Sequence, residues 1–341
     1  MPTKKWILPN GIEDILPEQA YWLELKRREV IETFLSYGYG FVIPPLIEYH
    51  DSLLSNSSDD LDLQTFKLID QETGKQLGLR ADITSQISRI YSTYNNHGEI
   101  NRYCYFDHVV RSNSRDSKSS RLPIQAGAEL IGSMEIEDDA EIVNLMLDVV
   151  KIFSKKKIYL DLGHVGIFKK LTNSANLKKD DEKKIKELIK SKSSSEIKKY
   201  MNTIEIDEKL KDCICNFPKM HGSIKDILND LENFKKIEPS IEVDIRYMIE
   251  LCSLINNNHS DIEIKYDLCE LAGFDYENGI LLSIYIEDDS HEVAIGGKYN
   301  FDNEYLSGIG FTVDVRYLLK NQDDFDIHNK SGKWHVGKNH E

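Results

Sequence analysis

The stretch Ile124-Gln125-Ala126-Gly127-Ala128-Glu129-Leu130-Ile131 alternates in character at every step. Side chains two apart share one face of a β-strand. One face is therefore Ile124, Ala126, Ala128 and Leu130, and the other carries an amide and an acid, Gln125 and Glu129, with Gly127 between them. An exposed strand has the same alternation, so the pattern alone leaves open whether this polar face meets solvent or a ligand. Residues 102–111 read as a partner strand ending at Arg111, joined to the first by the polar loop 112–121. Upstream, Leu79-Arg80-Ala81-Asp82-Ile83-Thr84 puts an acid and a hydroxyl where a strand over 76–80 gives way to a helix over 84–94. Asp82 or Thr84 serves there as a helix N-cap or as a ligand group.

Strands over 64–69 and 76–80 flank the turn Glu72-Thr73-Gly74, and 41–43 is a short strand closed by Pro44-Pro45. Before it, Pro17-Glu18 opens an amphipathic helix that reaches about Tyr37 and stops at Gly38. Downstream, an apolar helix is expected over 138–153 and a strand over 159–164. From 169 to 257 the character changes: 11 lysines stand against 5 acids between Lys169 and Lys199, net +6, and helical periodicity dominates. The serine-rich residues 191–195 read as a loop within this helical insertion. Strands resume over 262–268, 279–286 and 292–295, the last broken by Gly296-Gly297, then over 308–313 into a helix bearing Arg316. Strands, then helices, then strands make an α+β body with a largely antiparallel sheet. The expected organisation is a core of 1–168 and 258–320, an insertion of 169–257 and a polar tail of 321–341.

Acids outnumber basic residues 58 to 43, so the chain carries −15, which opposes polyanion binding. No run of apolar residues is long enough for a membrane helix, and the first residues hold no apolar leader. The five scattered cysteines point to reduced thiols in a cytoplasm, with neither disulfide framework nor structural zinc. No phosphate-binding glycine loop, metalloprotease motif or nucleophile elbow occurs. No metal or cofactor is expected. His108 and His164 stand apart from any Cys or acid cluster, and Cys104 and Cys269 belong to apolar strands.

Five segments together resemble histidyl-tRNA synthetases, in that family's order. Leu8-Pro9-Asn10-Gly11 with Val42-Ile43-Pro44-Pro45 resembles motif 1, and 79–84 resembles the segment Leu-Arg-Pro-Glu-Gly-Thr. Val110-Arg111 with Gln125-Ala126-Gly127-Ala128-Glu129 is similar to motif 2, and Gly308-Ile309-Gly310-Phe311 with Arg316 to motif 3. The resemblance covers residues 6–168 and 262–320. It implies a class II aminoacyl-tRNA synthetase-like antiparallel sheet flanked by helices, with a helical insertion. Two departures tell against aminoacylation. Asn113 stands where those enzymes have an adenine-reading glutamate, and Ala272, opening Ala272-Gly273-Phe274-Asp275-Tyr276-Glu277-Asn278-Gly279, stands where they have an arginine.

The chain is more closely similar to the regulatory-subunit family of ATP phosphoribosyltransferase, notably in 61–68, 77–82 and 160–168. That resemblance implies a non-catalytic partner of the short catalytic chain at the first step of histidine biosynthesis, giving feedback control by histidine. It implies a self-dimer within a hetero-oligomer, a hetero-octamer being expected. The residues expected to hold histidine are Asp82 and Thr84 on the ammonium, Arg111 and Gln125 on the carboxylate, and Glu129 and Tyr276 on the imidazole. Glu277, where the synthetases have a second tyrosine, alters that pocket wall. The alternatives are a diverged amino-acid-activating enzyme, which would use Arg111 and Arg316 on ATP phosphates, and an RNA-binding module using the insertion.

Overall fold

The computed structural model describes residues 7–54, 59–94, 100–114, 119–132, 135–269, 277–301 and 306–322. The first half runs α1 (Pro17–Ser36), β1 (Gly40–Phe41), β2 (Ile47–Tyr49), α2 (His50–Leu53), α3 (Asp59–Gln64), β3 (Phe66–Ile69), β4 (Gln76–Leu79) and α4 (Thr84–Tyr94). Then come β5 (Asn101–His108), β6 (Ile124–Ile131), α5 (Ile136–Phe153) and β7 (Ile158–His164). A helical stretch follows: α6 (Val165–Ser174), α7 (Lys179–Lys190), α8 (Ser194–Met201), α9 (Glu208–Asn216), β8 (His221–Ser223), α10 (Ile227–Lys235) and α11 (Ile241–Asn258). The rest is β9 (Glu263–Asp267), β10 (Glu277–Ile286), β11 (Ala294–Phe301), β12 (Leu306–Asp314) and α12 (Val315–Lys320).

Among the described residues, nine strands form one sheet in the order β1-β5-β6-β12-β11-β10-β7-β9-β8, and β2-β4-β3 form a smaller one. Pairing in the large sheet is antiparallel except at β1–β5 and β7–β9. Parallel neighbours need a long crossover, and the segment from α6 to α11 is the crossover between β7 and β9. The apolar face of β6 packs into the main core with Val143, Leu147 and Val150 of α5 and with Val30 and Phe34 of α1. α5 is buried almost all round from Ile142 to Val150, which explains why only Asn144 and Asp148 interrupt the apolar run there. The opposite face holds a smaller core in which Ile83, Ile87 and Tyr91 meet Tyr105, Ile131 and Tyr299. α1 begins with Pro17 in its first turn and ends at Gly38, whose φ of +83° only glycine adopts without strain.

Four expectations change. Gly296-Gly297 does not end a strand: β11 runs through both to Phe301. The reason is a close approach, since a Cβ at Gly296 would strike the Gly310 carbonyl oxygen and lie 2.9 Å from Phe311 Cβ. Residues 191–195 are not one loop, because α8 starts at Ser194. The segment 169–257 is not all helix, because β8 joins the sheet edge beside β9. Gln64 ends α3 and does not start a strand. Asn321 and Gln322 close the described chain, and the rest of the expected tail lies outside it.

Replacing a glycine in mid-strand by alanine ordinarily gains about 0.5–1 kcal/mol. Gly296→Ala should instead lose about 1–3 kcal/mol, because the added carbon meets backbone that cannot rotate away. A lower urea midpoint with unchanged slope is the expected result, and an unchanged midpoint would show that β11 and β12 can part.

Candidate functional site

β6 is buried along its whole length, so its polar face is not a solvent face. Strand register sets Tyr105, Gly127 and Thr312 in one row across β5, β6 and β12. The next row is Tyr103, Glu129, Gly310 and Gly297. Large side chains lie flat over the glycines between them. A Cβ at Gly127 would land on the Tyr105 hydroxyl, and one at Gly310 on Glu129 Oε2.

Glu129 is 1% exposed. Its Oε1 accepts the Thr84 hydroxyl at 2.8 Å, and its Oε2 accepts the Tyr299 hydroxyl at 2.7 Å. Tyr105 Oη and Thr312 Oγ1 are 2.7 Å apart. Asp82 sits at the start of α4. One of its oxygens accepts the Thr84 backbone N–H at 3.1 Å, and the other accepts Gln125 Nε2 at 3.1 Å. Asp82 therefore meets the start of α4 with one oxygen, and the same geometry turns the other toward β6. A carboxylate accepts only, so the bond to Asp82 fixes the Gln125 amide with its NH₂ toward Asp82. Gln125 Oε1 is left buried with no hydrogen-bond partner among the described residues. Arg111 Nε donates to the Ala81 carbonyl at 3.3 Å, beside Asp82.

Asp82, Thr84, Gln125 and Glu129 thus form one network with Arg111 at its margin. Tyr276, Ala272 and their loop lie outside the described residues, as does the side chain of Glu277. The sequence reading missed Tyr105, Tyr299 and Thr312. Continuing the strand through Gly296-Gly297 would have placed Tyr299 beside the Glu129 row; nothing short of strand register would have found the other two. Arg316 is 4% exposed, and its Nη2 donates to the Glu13 carbonyl at 2.6 Å. No cluster of three or more His, Cys, Asp or Glu fit for a metal occurs among the described residues. Cys104 and Cys269 are buried, while His108 is exposed and His164 buried.

The family model described as histidyl-tRNA synthetase matches residues 11–318. An ATP phosphoribosyltransferase regulatory subunit from Teredinibacter turnerae is 35% identical over 320 residues, covering 93% of this chain and 81% of the relative. The chain belongs to that regulatory-subunit family. A second member, from Methylococcus capsulatus, is 34% identical over 320 residues, 93% of this chain and 79% of its own length. Among solved structures, a protein titled ATP phosphoribosyltransferase regulatory subunit/histidyl-tRNA synthetase from Bacillus halodurans superposes with TM-score 0.82 at 21% identity, over 94% of this chain and 84% of that one. A histidyl-tRNA synthetase from Nostoc gives 0.75 at 16% identity, over 93% and 75%. Those likenesses establish the class II synthetase-like fold for this member of the family.

Burial raises the Glu129 carboxyl to about 8, with the Asp82 charge adding, against the opposing pull of the Tyr299 and Thr84 hydroxyls. Its pKa lies above the unfolded value, so folding favours the protonated acid. The stability from this group is full below pH ~4.5 and is lost as pH rises through about 8. Glu129→Gln mimics the protonated acid and cannot ionise. The stability of Glu129→Gln minus that of the wild type should rise between pH 5 and 8, by at most about 1.4 kcal/mol per pH unit. Urea denaturation of both proteins at several pH values tests this, and a flat difference would mean Glu129 ionises without penalty.

Proposed function

We propose that this chain is the non-catalytic regulatory subunit of an ATP phosphoribosyltransferase, required by a short catalytic chain at the first step of histidine biosynthesis and conferring feedback inhibition by histidine. The observation that carries this reading is the 34–35% identity to two curated regulatory subunits across 93% of the chain. A structure titled as an ATP phosphoribosyl transferase (HisG:HisZ) complex from Thermotoga maritima has the same fold, with TM-score 0.67 at 19% identity. That title suggests a hetero-oligomer with the catalytic chain here too, for which a hetero-octamer is our working stoichiometry. Activation of an amino acid is disfavoured by Asn113 and by the commitment of the Arg316 guanidinium to the Glu13 carbonyl. The isolated chain should give no histidine-dependent ATP–pyrophosphate exchange. Mixing it with the short catalytic chain should restore phosphoribosyl transfer, and robust exchange by the chain alone would reverse the assignment.

In this reading histidine lies on the polar face of β6. Asp82, the Thr84 hydroxyl oxygen and the bare Gln125 Oε1 receive its ammonium, Arg111 its carboxylate, and Glu129 with Tyr276 its imidazole. The amide orientation moves Gln125 from the carboxylate to the ammonium, because Oε1 is an acceptor. Binding without bond making is enough for a sensor that shifts an equilibrium between two states. Above about pH 8, where Glu129 carries its charge, losing that charge-assisted bond in Glu129→Gln should cost about 1.5–3 kcal/mol, or roughly ten- to a hundred-fold in histidine affinity. Isothermal titration of histidine into wild-type and variant assemblies measures this, and equal affinities would move the sensor elsewhere.

We also infer a self-dimer through α1, β1 and the segment that follows. Leu35, Ile43, Leu46, Ile47 and Tyr49 are exposed there, an apolar grouping that a two-fold contact would cover. Light scattering should give a dimer at micromolar concentration, and a monomer would count against this surface. A cytoplasmic location fits free cysteines and the lack, among the described residues, of any helix long and apolar enough to cross a membrane.

A further inference from the structure

Behind the sheet lies a second polar cluster that the histidine pocket does not use. Consecutive side chains on a strand point to opposite faces. Tyr299 of β11 faces Glu129 at the front. Its neighbour Lys298 points to the back, where its Nζ lies 2.7 Å from Asp139 Oδ2 of α5. Asp139 is 1% exposed, and the same oxygen accepts the hydroxyl of Tyr247, from α11 at the end of the crossover segment. His164 stands edge-on to the Tyr247 ring, 6.2 Å between centroids. Burial lowers its pKa to about 4, so it adds no second cation beside Lys298. One carboxylate inside the core thus ties a strand of the pocket to the last helix of the crossover.

We propose that Asp139, joined to Lys298 and Tyr247, couples occupancy of the Glu129 pocket to α11. A buried carboxylate between an ammonium and a hydroxyl tolerates little displacement, because losing either partner leaves a desolvated charge uncompensated. Ligand contact with Glu129 acts on Tyr299 through a 2.7 Å hydrogen bond. Any shift of β11 there carries Lys298 with it, since one backbone step separates the two. Asp139 answers by moving with Lys298 or by releasing Tyr247, and α11 registers either. The proposal rests on histidine binding at the Glu129 pocket.

Hydrogen exchange of the full chain with and without saturating histidine, in wild type, Tyr247→Phe and Asp139→Asn, tests the coupling. In the wild type, histidine should slow exchange in β6, β11 and β12 and also in α11, the latter by at least about five-fold. Tyr247→Phe removes one hydroxyl distant from the ligand. It should keep histidine affinity and strand protection while losing the response of α11, and in the assembly it should lower maximal inhibition without changing the half-inhibitory concentration. Asp139→Asn should do the same. Strand protection in the wild type without any response in α11 overturns the coupling while leaving the pocket intact, as does an α11 response equal in all three proteins. No protection anywhere refutes the pocket itself, and the coupling with it.

Discussion

A carboxyl group that is almost wholly buried needs its partners held in place, and Glu129 draws them from elements far apart in the chain. Thr84 comes from the first turn of α4, Tyr299 from β11, and the space its side chain fills comes from Gly310 of β12. Each requirement constrains a neighbour. β12 must be side-chain-free opposite Glu129, and Gly127 must be so beneath Tyr105. α4 must begin where Asp82 can both cap it and meet Gln125. The order of strands β5-β6-β12-β11 is the arrangement that satisfies these demands together.

A buried charge anchors the end of β5 beside this site. Arg80 is 2% exposed, and its guanidinium donates to the carbonyls of His108 and Pro44 and pairs with Asp107. It therefore locks the end of β5 to the Pro44-Pro45 segment, on the side where the exposed apolar residues of the inferred dimer contact lie. Removing any one acceptor would leave part of a fully desolvated cation unmatched.

The proposed sensor needs groups that bind without making bonds. Its groups are acceptors and one cation, preset by hydrogen bonds among themselves, which suits recognition of an ammonium, a carboxylate and a polar ring. The arginine that resembles motif 3 is committed to a backbone carbonyl of the lead-in, so it serves the fold. Such a sensor works when its ligand binds one conformation better than another, and the proposed route carries the difference to α11.

The sequence by itself determined most of the strands and helices, the α+β class and four of the six proposed site residues, Asp82, Thr84, Gln125 and Glu129, which the structure joins in one network with Arg111 alongside. Alternation in 124–131 and the acid–hydroxyl pair at a strand-to-helix junction are local signals, and local signals survive in a linear reading. Tyr276 belongs to a segment outside the described residues. Only the tertiary structure decided that β6 is buried on both faces, that Gly296-Gly297 lies within a strand, and that Tyr105, Tyr299 and Thr312 complete the network. Each of these depends on register between strands up to two hundred residues apart. The glycines show why: one sequence signal, the missing side chain, marks a chain break in one context and a close backbone approach in another, and only the neighbouring strand distinguishes them.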